Sequence, residues 1–199
     1  MRHAGCAVRA LLVIAALAAR PAGALELPDR AEAVLERGHP WVEVRPDPDG
    51  YSGQVRAAID IAASRETIWT LMLDCDAAIR MVANLKSCRV LERDPQGRFD
   101  VREQVSRAAF LPSVRSVYRS DYERPYRIRF HRTGGDMKVL EGEWRLEPRR
   151  DGVRVTYDAR AAAPFAVPGW IARAALRHDV PAALVALRGE AQAAKRRIP

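Results

Sequence analysis

Cysteine is scarce, with three residues in a chain of 199. That excludes a disulfide-dense scaffold and a four-cysteine zinc site. Aromatic residues are also few, at 7%. Acidic residues do not predominate, since 33 Lys and Arg stand against 25 Asp and Glu. Gly and Pro follow no period, which removes collagen-like and repeat architectures. The apolar stretch Ala10–Ala19 falls well short of the roughly 20 residues a membrane-crossing helix requires. No Gly-x-Ser-x-Gly elbow, phosphate-binding loop, dinucleotide fingerprint or His-Glu-x-x-His motif occurs, and no His or Cys set has metal-ligand spacing. What remains is an ordinary globular composition, 48% hydrophobic and 29% charged. Its length suits one domain with a short appendage.

The N-terminus reads as an export signal. Arg2 and Arg9 precede the apolar stretch, and Ala22-Gly23-Ala24 forms a small-x-small cleavage site. This pattern predicts a signal peptide over residues 1–24 and a mature chain from about Leu25, periplasmic or secreted. The competing reading is an uncleaved anchor. Cys6 precedes the apolar stretch, whereas a lipidated cysteine would follow it. Removing Arg2, Arg9 and Arg20 lowers the formal charge from +8 to +5. No recognition motif accompanies that modest excess, so nucleic acid is not an expected partner. Export leaves Cys75 and Cys88, for which two readings stand: a disulfide in an oxidising compartment, or two small buried hydrophobes.

Residues 25–50 form an N-terminal extension. A short helix is predicted over 28–38, with Asp29 near its start, Ala33 and Val34 among its apolar positions and Gly38 at its end. Trp41, Val42 and Val44 begin a strand, and Asp47-Pro48-Asp49-Gly50 is a turn. Val55, Ala57, Ile59 and Ile61 then alternate with Arg56 and Asp60, the period of a half-buried strand. Ser64 is placed to cap a helix carrying Ile68, Leu71, Met72 and Cys75 at helical spacing. Asp76 is placed to cap a second short helix, with Ile79, Val82 and Leu85 directed inward.

About six strands follow. They cover residues 87–93, Phe99 to Val105, Val114 to Tyr122, Tyr126 to His131, Leu140 to Leu146, and Val153 to Tyr157. Phe99, Val101 and Val105 alternate with Asp100, Arg102 and Gln104. Gly142 stands where a bulge or a close backbone approach is expected. A long helix ends the chain, with Pro168 in its first turn and Pro181 inside it. Leu176, Val180, Leu184, Leu187 and Ala191 form its apolar stripe. Strands in one block with helices on one side indicate an α+β fold.

Four stretches resemble a known superfamily. Ile59-Asp-Ile-Ala-Ala-Ser-Arg-Glu-Thr-Ile-Trp69 is similar to its first strand and first helix. Met81-Val-Ala-Asn-Leu-Lys-Ser-Cys-Arg-Val-Leu-Glu92 is similar to its second helix and second strand. Glu141-Gly-Glu-Trp-Arg-Leu-Glu-Pro148 with Gly152-Val-Arg-Val-Thr-Tyr157 is similar to its last hairpin, and Pro168-Gly-Trp170 fits the start of its last helix. The chain thus resembles the START / polyketide-cyclase (SRPBCC) superfamily, most nearly its coenzyme Q-binding START-domain and polyketide cyclase/dehydrase-like members. The resemblance implies a helix-grip domain over residues 51–195, a curved antiparallel sheet wrapped around the long C-terminal helix.

By strand parity, Tyr118, Phe130, Trp144 and Tyr157 share one interior, covered by Trp170, Leu176 and Val180 of the last helix. Met81 lies near the short helices, and Phe110 and Phe165 lie in loops that edge an entrance. The resemblance turns this set into an apolar cavity, with few polar handles, as ligand sites usually are. The expected activity is binding of a hydrophobic small molecule such as a lipid, quinone or polyketide-like compound. No cofactor is expected, and the protein is expected to act as a monomer. Two alternatives stand: a cyclase or dehydrase using His178 or Tyr118 as its acid/base group, and a protein-interaction module. Glu141 and Glu143 read as solvated partners of nearby arginines. His131 and arginines 115, 119, 127 and 129 read as the outer face of the sheet, with transient contact to anionic lipid headgroups as a secondary role.

Overall fold

The structure, a computed structural model, describes residues 26–46, 53–107, 112–164 and 169–197. The expected signal segment 1–24, the expected turn 47–50, Phe110, Phe165 and Pro168 lie outside the described residues. The elements are α1 (Asp29–Glu36), β1 (Trp41–Pro46), β2 (Gly53–Ile61), α2 (Arg65–Leu73), α3 (Cys75–Met81), β3 (Leu85–Arg93), β4 (Phe99–Ser106), β5 (Val114–Glu123), β6 (Arg127–Gly135), β7 (Val139–Arg149), β8 (Gly152–Ala162) and α4 (Gly169–Arg197).

All eight strands belong to one sheet in the order β1-β2-β8-β7-β6-β5-β4-β3. Every pairing is antiparallel. The chain lays down β1 and β2, crosses through α2 and α3 to the far edge, and returns strand by strand until β8 pairs with β2. The result is the curved open sheet with one long helix that defines the helix-grip α+β fold.

Local chemistry sets the boundaries. The Thr67 amide donates to the Ser64 hydroxyl at 3.1 Å, so Ser64 caps α2 as its sequence position predicts. The cap of α3 is Asp74 rather than Asp76. Asp74 is extended and its carboxylate accepts from the Asp76 amide at 2.8 Å. Asp76 falls instead in the first turn, where its charge meets the positive end of the helix dipole. In α1 the inward pair is Ala31 and Leu35, one turn apart and both buried, while Ala33 is exposed. Ile79 and Val82, expected to face inward, are 38% and 39% exposed.

The two faces of the sheet are covered unequally. On one, Ile59, Ile61, Ile128, Leu146 and Val155 meet Ile68 and Trp69 of α2 and Leu184, Leu187 and Ala191 of α4, all buried. On the other, α1 packs Ala31 and Leu35 on Trp41 and Ala58. Arg154, on the same strand as Val155 but pointing the opposite way, is buried there between Asp60, at 2.7 and 2.8 Å, and Glu32 of α1. That three-way pairing ties the N-terminal helix to β2 and β8. Burial works against the Arg154 charge, but the Asp60 hydrogen bonds are the larger effect and hold its pKa above the usual arginine range.

Cys75 and Cys88 are joined as a disulfide that fastens the first residue of α3 to β3, with Cα atoms 5.2 Å apart. Two contacts tether the same region to α4: Asn84 donates to Asp179 at 3.3 Å, and Arg80 pairs with Glu190 at 3.1 Å.

Candidate functional site

Because α4 packs on β1, β2, α2 and α3, it stands away from the middle of the sheet. The gap is a cavity of about 320 Å³ between Leu184 and Leu187 of α4, Met72 of α2, Met81 of α3 and the inner faces of β4 to β8. A smaller space of about 60 Å³ continues it toward Ser120, Tyr122 and Ile128.

Aromatic rings form one wall. Trp144 and Tyr157, directly opposed on β7 and β8, stack with ring centroids 4.1 Å apart. Phe130 lies nearly parallel to Tyr157 at 6.2 Å, and Tyr118 meets the Phe130 ring edge-on at 6.2 Å. Gly142 makes the strand geometry behind this wall possible. It pairs with Phe130 on β6 and Ala159 on β8, and a Cβ on it would come within 2.3 Å of the Asp158 carbonyl oxygen and 2.7 Å of Ala159 Cα. The close approach expected at this glycine is therefore present.

The wall continues onto β4 and β5, where it turns polar. Strand alternation defines two faces without saying which is inward, and on β4 the inward face carries Asp100, Arg102 and Gln104. Gln104 is paired with Ser116 and Arg102 with Tyr118, and all four line the cavity. Asp100 and Arg102 are 1% and 4% exposed. Arg102 Nε donates to both Asp100 oxygens at 3.0 and 2.9 Å, and Nη2 donates to Oδ2 at 2.7 Å. Nη2 also reaches the Leu73 carbonyl at 2.9 Å and the Tyr122 hydroxyl at 3.3 Å, and Nη1 the Met72 carbonyl at 3.3 Å. Arg102 thus holds the last carbonyls of α2, groups a helix leaves without internal partners. Of its five N–H donors, at most one Nη1 hydrogen remains for the cavity.

Burial and this pair set the ionisation of the site. Burial alone would lower the Arg102 pKa, but the hydrogen bonds and charge of Asp100 oppose it and the net result is raised. Arg102 is a permanent cation. Tyr118 is pushed up to about 12 by burial, with the Arg102 charge pulling the other way. Tyr157 is raised as well, by burial first and then by its neighbours Tyr118 and Asp158. Both phenols are hydrogen-bond donors at neutral pH, not bases.

Five of the residues proposed from sequence meet at this cavity: Met81, Tyr118, Phe130, Trp144 and Tyr157. Trp170 does not cover them. It is 68% exposed at the start of α4, because the inward stripe there begins further along the helix. Leu176 lies near Gly53, and Val180 packs on the main core. Neither lines the cavity. His178 is also outside it, exposed and hydrogen-bonded to Asp179 at 2.9 Å. The outer-face arginines are each engaged by a carboxylate: Arg115 by Glu103, Arg119 by Asp121, and Arg127 and Arg129 by Glu123. Glu141 and Glu143 pair with Arg160 and Arg145 as expected. Sequence reasoning passed over Asp100, Arg102, Gln104 and Ser116. The available signal was two opposite charges two residues apart on one strand, a spacing that puts both on one face.

A curved sheet gripping a long helix around a cavity defines a helix-grip α+β domain. Residues 61–188 match the family described as polyketide cyclase / dehydrase and lipid transport, and the chain belongs to that family. Among solved structures it is similar to the STAR-related lipid transfer protein of Xanthomonas axonopodis, with 21% identity, TM-score 0.65, and coverage of 77% of this chain and 93% of that one. It is similar also to human STARD10, with 14% identity, TM-score 0.66 and coverage of 88% and 84%. A third is the Zhui aromatase/cyclase from a Streptomyces species, with 16% identity, TM-score 0.60 and coverage of 75% and 97%. At these identities the likeness establishes the fold. No curated protein matches the chain.

Proposed function

We propose that this protein is an exported, monomeric carrier that sequesters one hydrophobic small molecule, a lipid, quinone or polyketide-like compound, in the cavity beneath α4. The observation that carries this reading is the cavity itself. It is hollow at about 320 Å³, within the roughly 300–1,000 Å³ range of small-molecule sites. It is walled by Phe130, Trp144, Tyr157, Leu184 and Leu187 with one polar side. Removing apolar ligand surface from water contributes about 25 cal/mol per Å², and the polar side orients the molecule. The lipid-transfer and aromatase/cyclase names of the structural relatives support the same ligand chemistry.

Export is supported by the signal-like residues 1–24 and by the Cys75–Cys88 disulfide, which suits an oxidising compartment. Exposed Trp170 and Ile171, 68% and 39% accessible at the head of α4, favour transient contact with a membrane surface during loading. Of the two acid/base candidates for the enzymatic alternative, Tyr118 lines the cavity as a neutral proton donor and His178 does not. Native mass spectrometry of the mature protein from the periplasm, followed by organic extraction, tests the proposal. A reproducible bound apolar compound at one per chain is expected. An apo mass together with turnover of a cyclisable substrate that fails in Tyr118→Phe would replace the carrier reading with the enzymatic one.

A further inference from the structure

The polar wall contains a charge that the cavity does not offer as a charge. Arg102 is the one ionised side chain among the described residues lining the cavity. Its partner Asp100 sits behind it and lines a separate cleft with Trp69, Thr70 and Tyr122. The pair is nearly inaccessible, at 4% and 1%, and its net charge is zero. A carboxylate entering the cavity would lose its hydration and find no uncompensated cation, while the Asp100 charge lies directly behind the guanidinium. Buried charge without a partner is the costliest arrangement available.

A neutral oxygen meets a different situation. The Gln104 amide and the hydroxyls of Ser116 and Tyr118 come from neighbouring strands in register. Together they supply donors and acceptors for one hydroxyl or carbonyl group. Beside them on β6 to β8 lie the rings of Phe130, Trp144 and Tyr157, which stack on one another and line the cavity. Such an aromatic lining favours an aromatic ligand through offset and edge-to-face contacts. The volume of about 320 Å³ is at the small end for ligand sites.

We infer that the cavity selects an uncharged, oxygen-bearing aromatic compound and rejects the carboxylate of the same skeleton, because Asp100 neutralises Arg102 from behind. This selectivity rests on the cavity being the binding site proposed above.

Three fluorescent probes of one shape test it: pyrene, 1-pyrenemethanol and 1-pyrenecarboxylate, titrated into the mature protein near neutral pH. The alcohol should bind on the order of tenfold or more tighter than the carboxylate. Asp100→Asn removes the compensating charge and should bring carboxylate affinity up to or above that of the alcohol. Asp100→Asn with Arg102→Gln removes both charges and should keep the preference for the alcohol, which covers the case in which the single variant fails to fold. Gln104→Leu should weaken the alcohol relative to pyrene. Equal or tighter binding of the carboxylate by the unmodified protein, with pyrene still bound, overturns the inference alone. Failure of all three probes to bind overturns the cavity reading and this inference with it.

Discussion

Breaking the Cys75–Cys88 bond should lower stability by an amount the chain itself sets. The two cysteines are 13 residues apart, and a closed loop of that size removes denatured-state entropy equivalent to about 3 kcal/mol. For a chain of this size, 1 kcal/mol moves the melting temperature by about 2–4 °C. Reduction, or the Cys75→Ser/Cys88→Ser variant, should therefore lower Tm by about 6–12 °C. The loss should not be confined to melting. The bond fixes the start of α3, whose Ala78 and Met81 line the cavity, and Cys88 lies beside Gln104, with Sγ 3.9 Å from its amide nitrogen. Ligand dissociation should accelerate in the reduced protein even well below its melting point. Scanning calorimetry of oxidised, reduced and Ser-variant protein measures the first effect, and stopped-flow release of a bound fluorescent ligand measures the second. Cys75 and Cys88 must carry no free thiol in the oxidised sample for the comparison to hold. A reduced protein melting within about 2 °C of the oxidised one, with unchanged release, would refute the claim that this bond restrains the α3 corner.

Two glycines should respond in opposite directions. Gly142→Ala forces a Cβ against the Asp158 and Ala159 backbone, at a cost of about 3 kcal/mol by overpacking and strain; Gly189→Ala has nothing within 4 Å on exposed α4 and should gain about 0.5–1 kcal/mol. Urea unfolding of both variants checks the pair. Tyr118, with its pKa raised to about 12 in the folded protein, stabilises the fold fully below the ordinary tyrosine pKa near 10. That contribution is lost as pH rises from about 10 toward about 12. Tyrosinate absorbance of Tyr118→Phe should lack the transition near 12, and the variant's stability should fall less steeply in that window. Identical alkaline curves for the two proteins would show that Tyr118 is not buried as described.

Much of the architecture was legible because it follows from periodicity. The period of two in β2, the Ser64 cap and the stripe Leu184, Leu187 and Ala191 each fix a local geometry that tertiary packing then uses. The aromatic wall was legible for the same reason, since Tyr118, Phe130, Trp144 and Tyr157 share strand parity. What escaped was the direction of β4. A strand with Phe99 and Val101 on one face and Asp100 and Arg102 on the other looks, by hydrophobicity, as though it turns its apolar face inward. It does the reverse because Arg102 finds a carboxylate and two helix-end carbonyls inside, so the buried charge is satisfied. Such compensation depends on α2, whose Met72 and Leu73 carbonyls are some 30 residues away in sequence. Trp170 failed for a related reason. Helical spacing gives a residue's angle around the axis but not how far along the helix the partner surface extends.

The pairing of β2 with β8 carries a consequence for how the molecule comes into being. Gly53 lies beside Ala161 and Ile61 beside Val153, so a strand made early waits for one made near the end. The helix that seals Ile59, Ile61 and Trp69 from water, through Leu184, Leu187 and Ala191, is the last of the described elements in chain order. Contacts so distant along the chain form late and at a large entropic cost. Until residues 152–197 exist, Ile59 and Ile61 lack most of the core they join, although α1 already has Trp41 and Ala58 to pack on. The cavity, closed by Tyr157 of β8 and Leu184 and Leu187 of α4, is therefore complete only once these late elements are in place.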